Sequence, residues 1–172
     1  MPTDVEDLSM PAVEREMTAL AGHLAAGTCR FLELLAVFDN GGGWHGTGIR
    51  TCAQWLSWRC GLSPSAAGEQ LRVAHALERL PAVRGAFAAG KISFSKARAL
   101  TRAATPENEE ALVETATACT ASQLDRLCRG IVRARSNQEV IAHAAQASLS
   151  TRWEPDGTLR FSGRLSPEDG RV

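Results

Sequence analysis

The sequence predicts an all-α fold: a multi-helix domain with helix-turn-helix-like hairpins, followed by a C-terminal β-hairpin. Three observations predict it. Alanine is abundant while aromatics make up only 5% of the chain and tyrosine is absent, a composition for closely packed helices rather than a sandwich or barrel. Apolar residues recur at helical spacing through most of residues 11–147. After residue 147 the pattern changes to an alternation of apolar and polar residues around Pro155-Asp156-Gly157. The chain of 172 residues therefore divides into an acidic segment 1–10, a helical domain 11–147 and a segment 148–172 holding the hairpin.

Each helix carries its own start and stop signals. Thr3 and Glu6 have capping-box spacing for a short turn at the start. A long helix follows from Pro11 to the "DNGGG" at 39–43, with Val13, Met17, Leu20, Leu24, Phe31, Leu35 and Phe38 as its apolar stripe. The glycine-rich "NGGGWHGTG" reads as a connector, since no G-K-[ST] accompanies it. "TCAQWLSWRC" (51–60) and residues 63–80 form two helices split by Gly61, with Ser63 as cap and Pro64 in the first turn. Leu62 is placed to staple back onto Ala67. Pro81 opens a short helix that Gly90 closes, and "SFSKARALTRAA" (93–104) is a second Ser-capped helix. Thr105-Pro106 starts the next, and Thr120 with Gln123 makes a capping box for a last long helix over about 121–147. That helix carries Leu124, Leu127, Cys128, Ile131, Val132 and Ile141. "SPEDGRV" reads as the start of a further helix, so the hairpin is expected to belong to a part beyond Val172.

Charge is the informative composition. The formal net charge is zero, yet residues 50–102 hold nine basic residues against Glu69 and Glu78, a local net of +7, while residues 1–16 carry −4. "LSPSAA" at 62–67 and "ISFSKA" at 92–97 build the same helix entrance twice. A helical wheel puts Arg72 and Arg79 on the outer side of the first of these helices, and Arg98 and Arg102 on that of the second, with Lys91 and Lys96 at its entrance. Arginines beside free helix N–H groups suit phosphates, so the expected nucleic-acid-binding set is Arg72, Arg79, Lys91, Lys96, Arg98 and Arg102 with Ser65 and Ser95. The helix-turn-helix pattern in "WLSWRCGLSPSAAGEQL" has its turn glycine, but Gln70 stands where an aliphatic side chain is usual. An ordinary helical hairpin with a solvated arginine face is the competing reading.

No catalytic constellation is present: the four histidines are scattered, and there is no G-x-S-x-G, H-E-x-x-H or P-loop. No cofactor is expected. The five cysteines form no C-x-x-C pair, which makes a zinc site from His45, Cys52 and Cys60 a poor reading and buried reduced thiols the better one. The basic n-region of a signal peptide is missing and "FLELLAVF" is too short to span a bilayer, so a cytoplasmic location without membrane contact is expected.

Residues 51–116 resemble the core of domain-of-unknown-function family 222, which includes the thirteen-E-twelve repeat proteins of mycobacteria and other actinobacteria. The features are Trp55-Leu56, Gly61-Leu62-Ser63, Leu80-Pro81 and Gly90-Lys91-Ile92-Ser93, and the likeness extends over most of residues 17–172. It implies association with DNA, because members commonly carry an HNH nuclease domain toward the C-terminus. "GKISFSKARAL" is similar to a stretch in the helical DNA-binding domain of ParB-type partition proteins. No His/Asn metal cluster of the HNH kind lies in these 172 residues. The expected function is a non-catalytic DNA-binding or DNA-positioning module with duplex DNA as partner. The alternative is a helical interaction module forming a homodimer through its long helices. A large exposed apolar stripe along residues 17–38 or 124–141 would favour the alternative.

Overall fold

The computed structural model describes residues 8–46, 48–144 and 148–164. The Thr3–Glu6 box and the "SPEDGRV" turn lie outside them. Among the described residues the elements are α1 (Met10–Asn40), α2 (Cys52–Cys60), α3 (Pro64–Leu77), α4 (Pro81–Ala88), α5 (Phe94–Ala103), α6 (Glu109–Ala118), α7 (Ala121–Ala144), β1 (Ser148–Trp153) and β2 (Leu159–Arg164). The all-α architecture with a C-terminal hairpin is the one the sequence predicts. The chain forms two compact units, Met1–Cys128 and Arg129–Val172.

Local chemistry sets most helix ends. Thr51, Ser63 and Ser93 accept the N–H of Gln54, Ala66 and Lys96, each three residues on. Thr120 and Gln123 close the reciprocal box, with Thr120 N donating to Gln123 Oε1 at 2.9 Å and Gln123 N to Thr120 Oγ1 at 3.3 Å. The sixth helix starts later than Thr105-Pro106 suggests. Residues 106–108 first make a turn on the Thr105 carbonyl, held by Asn108 Oδ1 accepting Thr105 N at 2.7 Å.

Helix α4 is capped from outside itself. Its N-cap position is Leu80, which has no side chain able to accept a hydrogen bond. Glu109 of α6, only 4% exposed, takes that role: its Oε2 accepts Ala82 N at 2.9 Å and Val83 N at 3.1 Å. A carboxylate at a helix N-terminus satisfies free N–H groups and meets the positive end of the dipole. The exit of α4 is fixed by Gly90 at φ +70°, where a Cβ would lie 2.6 Å from the carbonyl oxygen of Gly22 on α1. That close approach brings α1 against the α4–α5 turn.

The core of the first unit is built from Leu32, Leu56, Val73, Val83, Phe87, Ile92, Leu100 and Leu124, all essentially sealed from solvent. The face of α1 turned to this core is not the expected one. Ala25, Cys29, Leu32, Leu35 and Ala36 are buried, whereas Met17, Leu20 and Leu24 are exposed. Of the seven residues expected to form the buried stripe, only Leu35 is fully buried; Val13, Phe31 and Phe38 are half-buried. Small residues explain the choice: Gly22, Ala25, Cys29 and Ala36 let α1 approach its neighbours closely, which larger side chains would prevent. On α7, Leu124 and Cys128 are buried as expected, while Leu127 and Val132 are exposed.

In the second unit β1 and β2 pair antiparallel, with Thr151 opposite Phe161 and Trp153 opposite Leu159. Gly157, at φ +81°, completes the turn. Trp153 and Phe161 share one face and are 71% and 65% exposed. An uncovered two-stranded hairpin is marginal in water. Its amides at residues 150–163 should therefore exchange far faster than those of residues 124–128; equal protection would mean that the apolar face is covered.

Candidate functional site

The two serine-capped helices pack against each other. A cleft of about 390 Å³ between them is lined by the cap Ser63 and by Ser65 and Gln70 of α3 with Phe94, Arg98 and Arg102 of α5. Toward their C-terminal ends Ala76 and Arg79 face Thr101 and Ala104 across a second cleft. Ser63 and Ser93 do the capping; Ser65 and Ser95 stand exposed in the first turns.

This packing uses much of the expected cationic set internally. Arg72 makes a bidentate pair with Glu69 at 3.1 and 3.0 Å and also donates to the carbonyl of Arg98 at 3.2 Å and to Thr101 Oγ1 at 3.2 Å. Arg102 reaches the same carboxylate at 2.7 Å, and the hydrogen bond from Arg72 in particular holds the Glu69 carboxyl below its usual pKa. Lys96 donates to the carbonyl of Ala116 at 2.7 Å. Arg98 is half-buried, its Nε without a partner, as is Oε1 of the half-buried Gln70. Arg79 and Lys91 are exposed. Thus Arg72 does not point away from the protein as its wheel position suggests: the outer side of α3 is the side that α5 covers. Glu69, the hub of this network, was legible as the partner of Arg72 three residues on.

A second surface lies on the outer face of α1. Met17, Leu24 and Val37 are 66%, 64% and 72% exposed, and Met10, Leu20 and Leu34 extend the patch. Phe31, Leu34 and Phe38 border an almost wholly apolar cleft of about 410 Å³ with Trp55 and Leu56 of α2, in which the rings of Phe38 and Trp55 lie 4.5 Å apart. By length and composition alone Met10–Asn40 also meets the requirement for a membrane span, with a mean hydropathy of 1.3 over 18 residues. Its inner face, however, packs against α3 and α4.

The C-terminal end of α1 is tied to α3 by an acid–histidine cluster. His75 bonds Asp39 Oδ2 at 2.8 Å and Glu78 Oε2 at 3.1 Å, while Trp44 Nε1 donates to Asp39 Oδ1 at 2.8 Å. These bonds, that to Asp39 foremost, raise the pKa of His75 above its ordinary 6.5. A raised pKa means that the folded state binds the proton more tightly. The stabilisation is therefore complete below about pH 6.5 and is lost as the pH rises through the higher folded value. A urea midpoint that declines over that window, and a flat profile in His75→Gln, is the expected result; partial exposure keeps the effect small. Cys52 lies beside Asp39, and burial, with that acid, pushes its thiol up to about 11. Among the described residues no group of three or more His, Cys, Asp or Glu side chains is placed to hold a metal ion.

Fold and surfaces together define a helical unit and a hairpin-bearing unit, the first with a cross-braced basic helix pair and an apolar helix face exposed among the described residues. The chain belongs to the family described as Domain of unknown function (DUF222), whose sequence profile matches residues 11–172. No curated protein and no solved structure matches it.

Proposed function

We propose that this DUF222 chain acts as a helical protein-interaction module whose working surface is the outer face of α1. The observation that carries this reading is the apolar patch from Met10 to Val37, backed by the cleft beside Trp55. Contiguous apolar surface of this kind is characteristic of contact with another protein. A photo-crosslinking residue at position 24 should join a second polypeptide, and one at the exposed position 110 should not. Failure of position 24 to crosslink to any protein would end the reading.

Contact with duplex DNA is a second reading, favoured by the exposed Arg79 and Lys91 and by the +7 charge of residues 50–102. It would suit a module that positions a nuclease of the HNH kind. Non-specific affinity of ~10⁻⁴–10⁻⁶ M is then expected, with a salt slope that flattens by up to ~2 in Arg79→Ala/Lys91→Ala. Absence of binding at low salt would eliminate it.

A further inference from the structure

The outer face of α1 carries a stricter repeat than amphipathicity requires. From Met10 to Phe38 steps of three and four residues alternate without a break. Met10, Met17, Leu24, Phe31 and Phe38 occupy the first heptad seat; Val13, Leu20, Gly27 and Leu34 occupy the fourth. At 100° per residue this seam lies about 150° from the small-residue face buried inside the unit. Its seats at Met10, Met17, Leu20, Leu24 and Leu34 are exposed, while Phe31 and Phe38 are half-buried beside Trp55 and Leu56 of α2; a repeat of this length is what one helix of a two-helix coiled coil presents. Residues 14–21 are exposed throughout, so none of the described elements of the first unit covers them.

We propose that this seam pairs with the same seam of a second copy in antiparallel orientation, about a twofold axis between Leu20 and Leu24. This rests on the reading of the outer α1 face as a protein contact. Charge selects the occupant and its direction. On one side of the seam the flanking seats hold Glu16, His23 and Arg30, the last also paired with Glu33 of its own helix at 3.0 Å; on the other side they hold Glu14, Ala21, Thr28 and Leu35. An antiparallel pair sets Glu16 of each copy opposite Arg30 of the other, whereas a parallel pair sets Glu16 beside Ala21 and Arg30 beside Leu35, with no charges matched. Size agrees: the antiparallel register lays Met17 over Gly27, while a parallel one stacks Gly27 on itself and leaves a void. Met10 and Val13 of one copy then arrive at Leu34 and Phe31 of the other, where the cleft beside Trp55 opens. The contact is isologous, and it aligns the two helix dipoles favourably.

Sedimentation of the full chain across the micromolar range should give a dimer. Leu20→Glu/Leu24→Glu should give a monomer with an unchanged circular-dichroism spectrum, both residues being exposed. Glu16→Arg or Arg30→Glu alone should weaken the dimer roughly fivefold or more, and the two together should restore it, because each change affects two symmetric pairs. A dimer without that rescue overturns the antiparallel register. A dimer indifferent to Leu20 and Leu24 overturns the surface. A monomer whose position 24 still crosslinks another polypeptide overturns self-pairing but leaves the interaction reading, and a monomer that crosslinks nothing removes both. A monomer that instead co-sediments with lipid vesicles also overturns the pairing.

Discussion

Replacing Glu109 with alanine is expected to lower the unfolding free energy by about 3 kcal/mol, a fall in the thermal midpoint of about 6–12 °C. The carboxylate is buried and accepts two N–H groups at the start of α4, for which the chain supplies no local cap. Alanine leaves both donors unpaired where water has little access, and each such loss costs ~1–3 kcal/mol. Glu109→Gln keeps an acceptor oxygen while losing the charge at the dipole's positive end, and should cost only about 1 kcal/mol. Denaturant titration of the two variants measures the difference. If alanine cost no more than glutamine, the carboxylate would not be the cap.

Gly90→Ala should be comparably damaging, for two separable reasons. At φ +70° any side chain meets left-handed strain of ~1–2 kcal/mol. The new Cβ would also lie 2.6 Å from the Gly22 carbonyl, pushing α1 off the α4–α5 turn. Gly61→Ala is the control, since Gly61 has φ +69° and nothing within 4 Å of the place its Cβ would take. It should show the strain alone, and the excess at Gly90 measures the helix contact. Gly22→Ala should be neutral or better, because its Cβ would meet Gly90 O at an ordinary 3.6 Å and alanine favours a helix by up to ~1 kcal/mol. Equal losses at Gly90 and Gly61 would refute the close approach.

What was legible in the sequence is what depends on near neighbours. Ser63-Pro64, Ser93 and the Thr120/Gln123 box each state a helix start within four residues, and those starts hold. The trans-cap was not legible in this way, since Glu109 and Ala82 are 27 positions apart; its one signal was negative, a Pro81-led helix with leucine at its cap. The orientation of α1 was misjudged because bulk dominates any reading of hydrophobicity. Its apolar residues form two seams, and close packing selects the one made of Gly22, Ala25, Cys29, Leu32 and Ala36. The basic set was readable as a list but not as a surface. A wheel describes one helix, and whether Arg72 is free depends on α5 lying beside it.

The division of α1 into two seams also sorts the chain's sulfur chemistry. Cys29, Cys52 and Cys128 are buried, and burial raises the pKa of each, keeping them as unreactive thiols. Met10 and Met17 instead lie open on the outer seam, and Cys60 is exposed at the end of α2. An oxidant therefore reaches the outer seam before it reaches the core. Conversion of either methionine to its sulfoxide places a polar group in the first heptad seat while leaving the packed interior unchanged. If the proposed pairing holds, methionine oxidation would register as lost association well before it registered as lost folding, and sulfoxide reduction would reverse it.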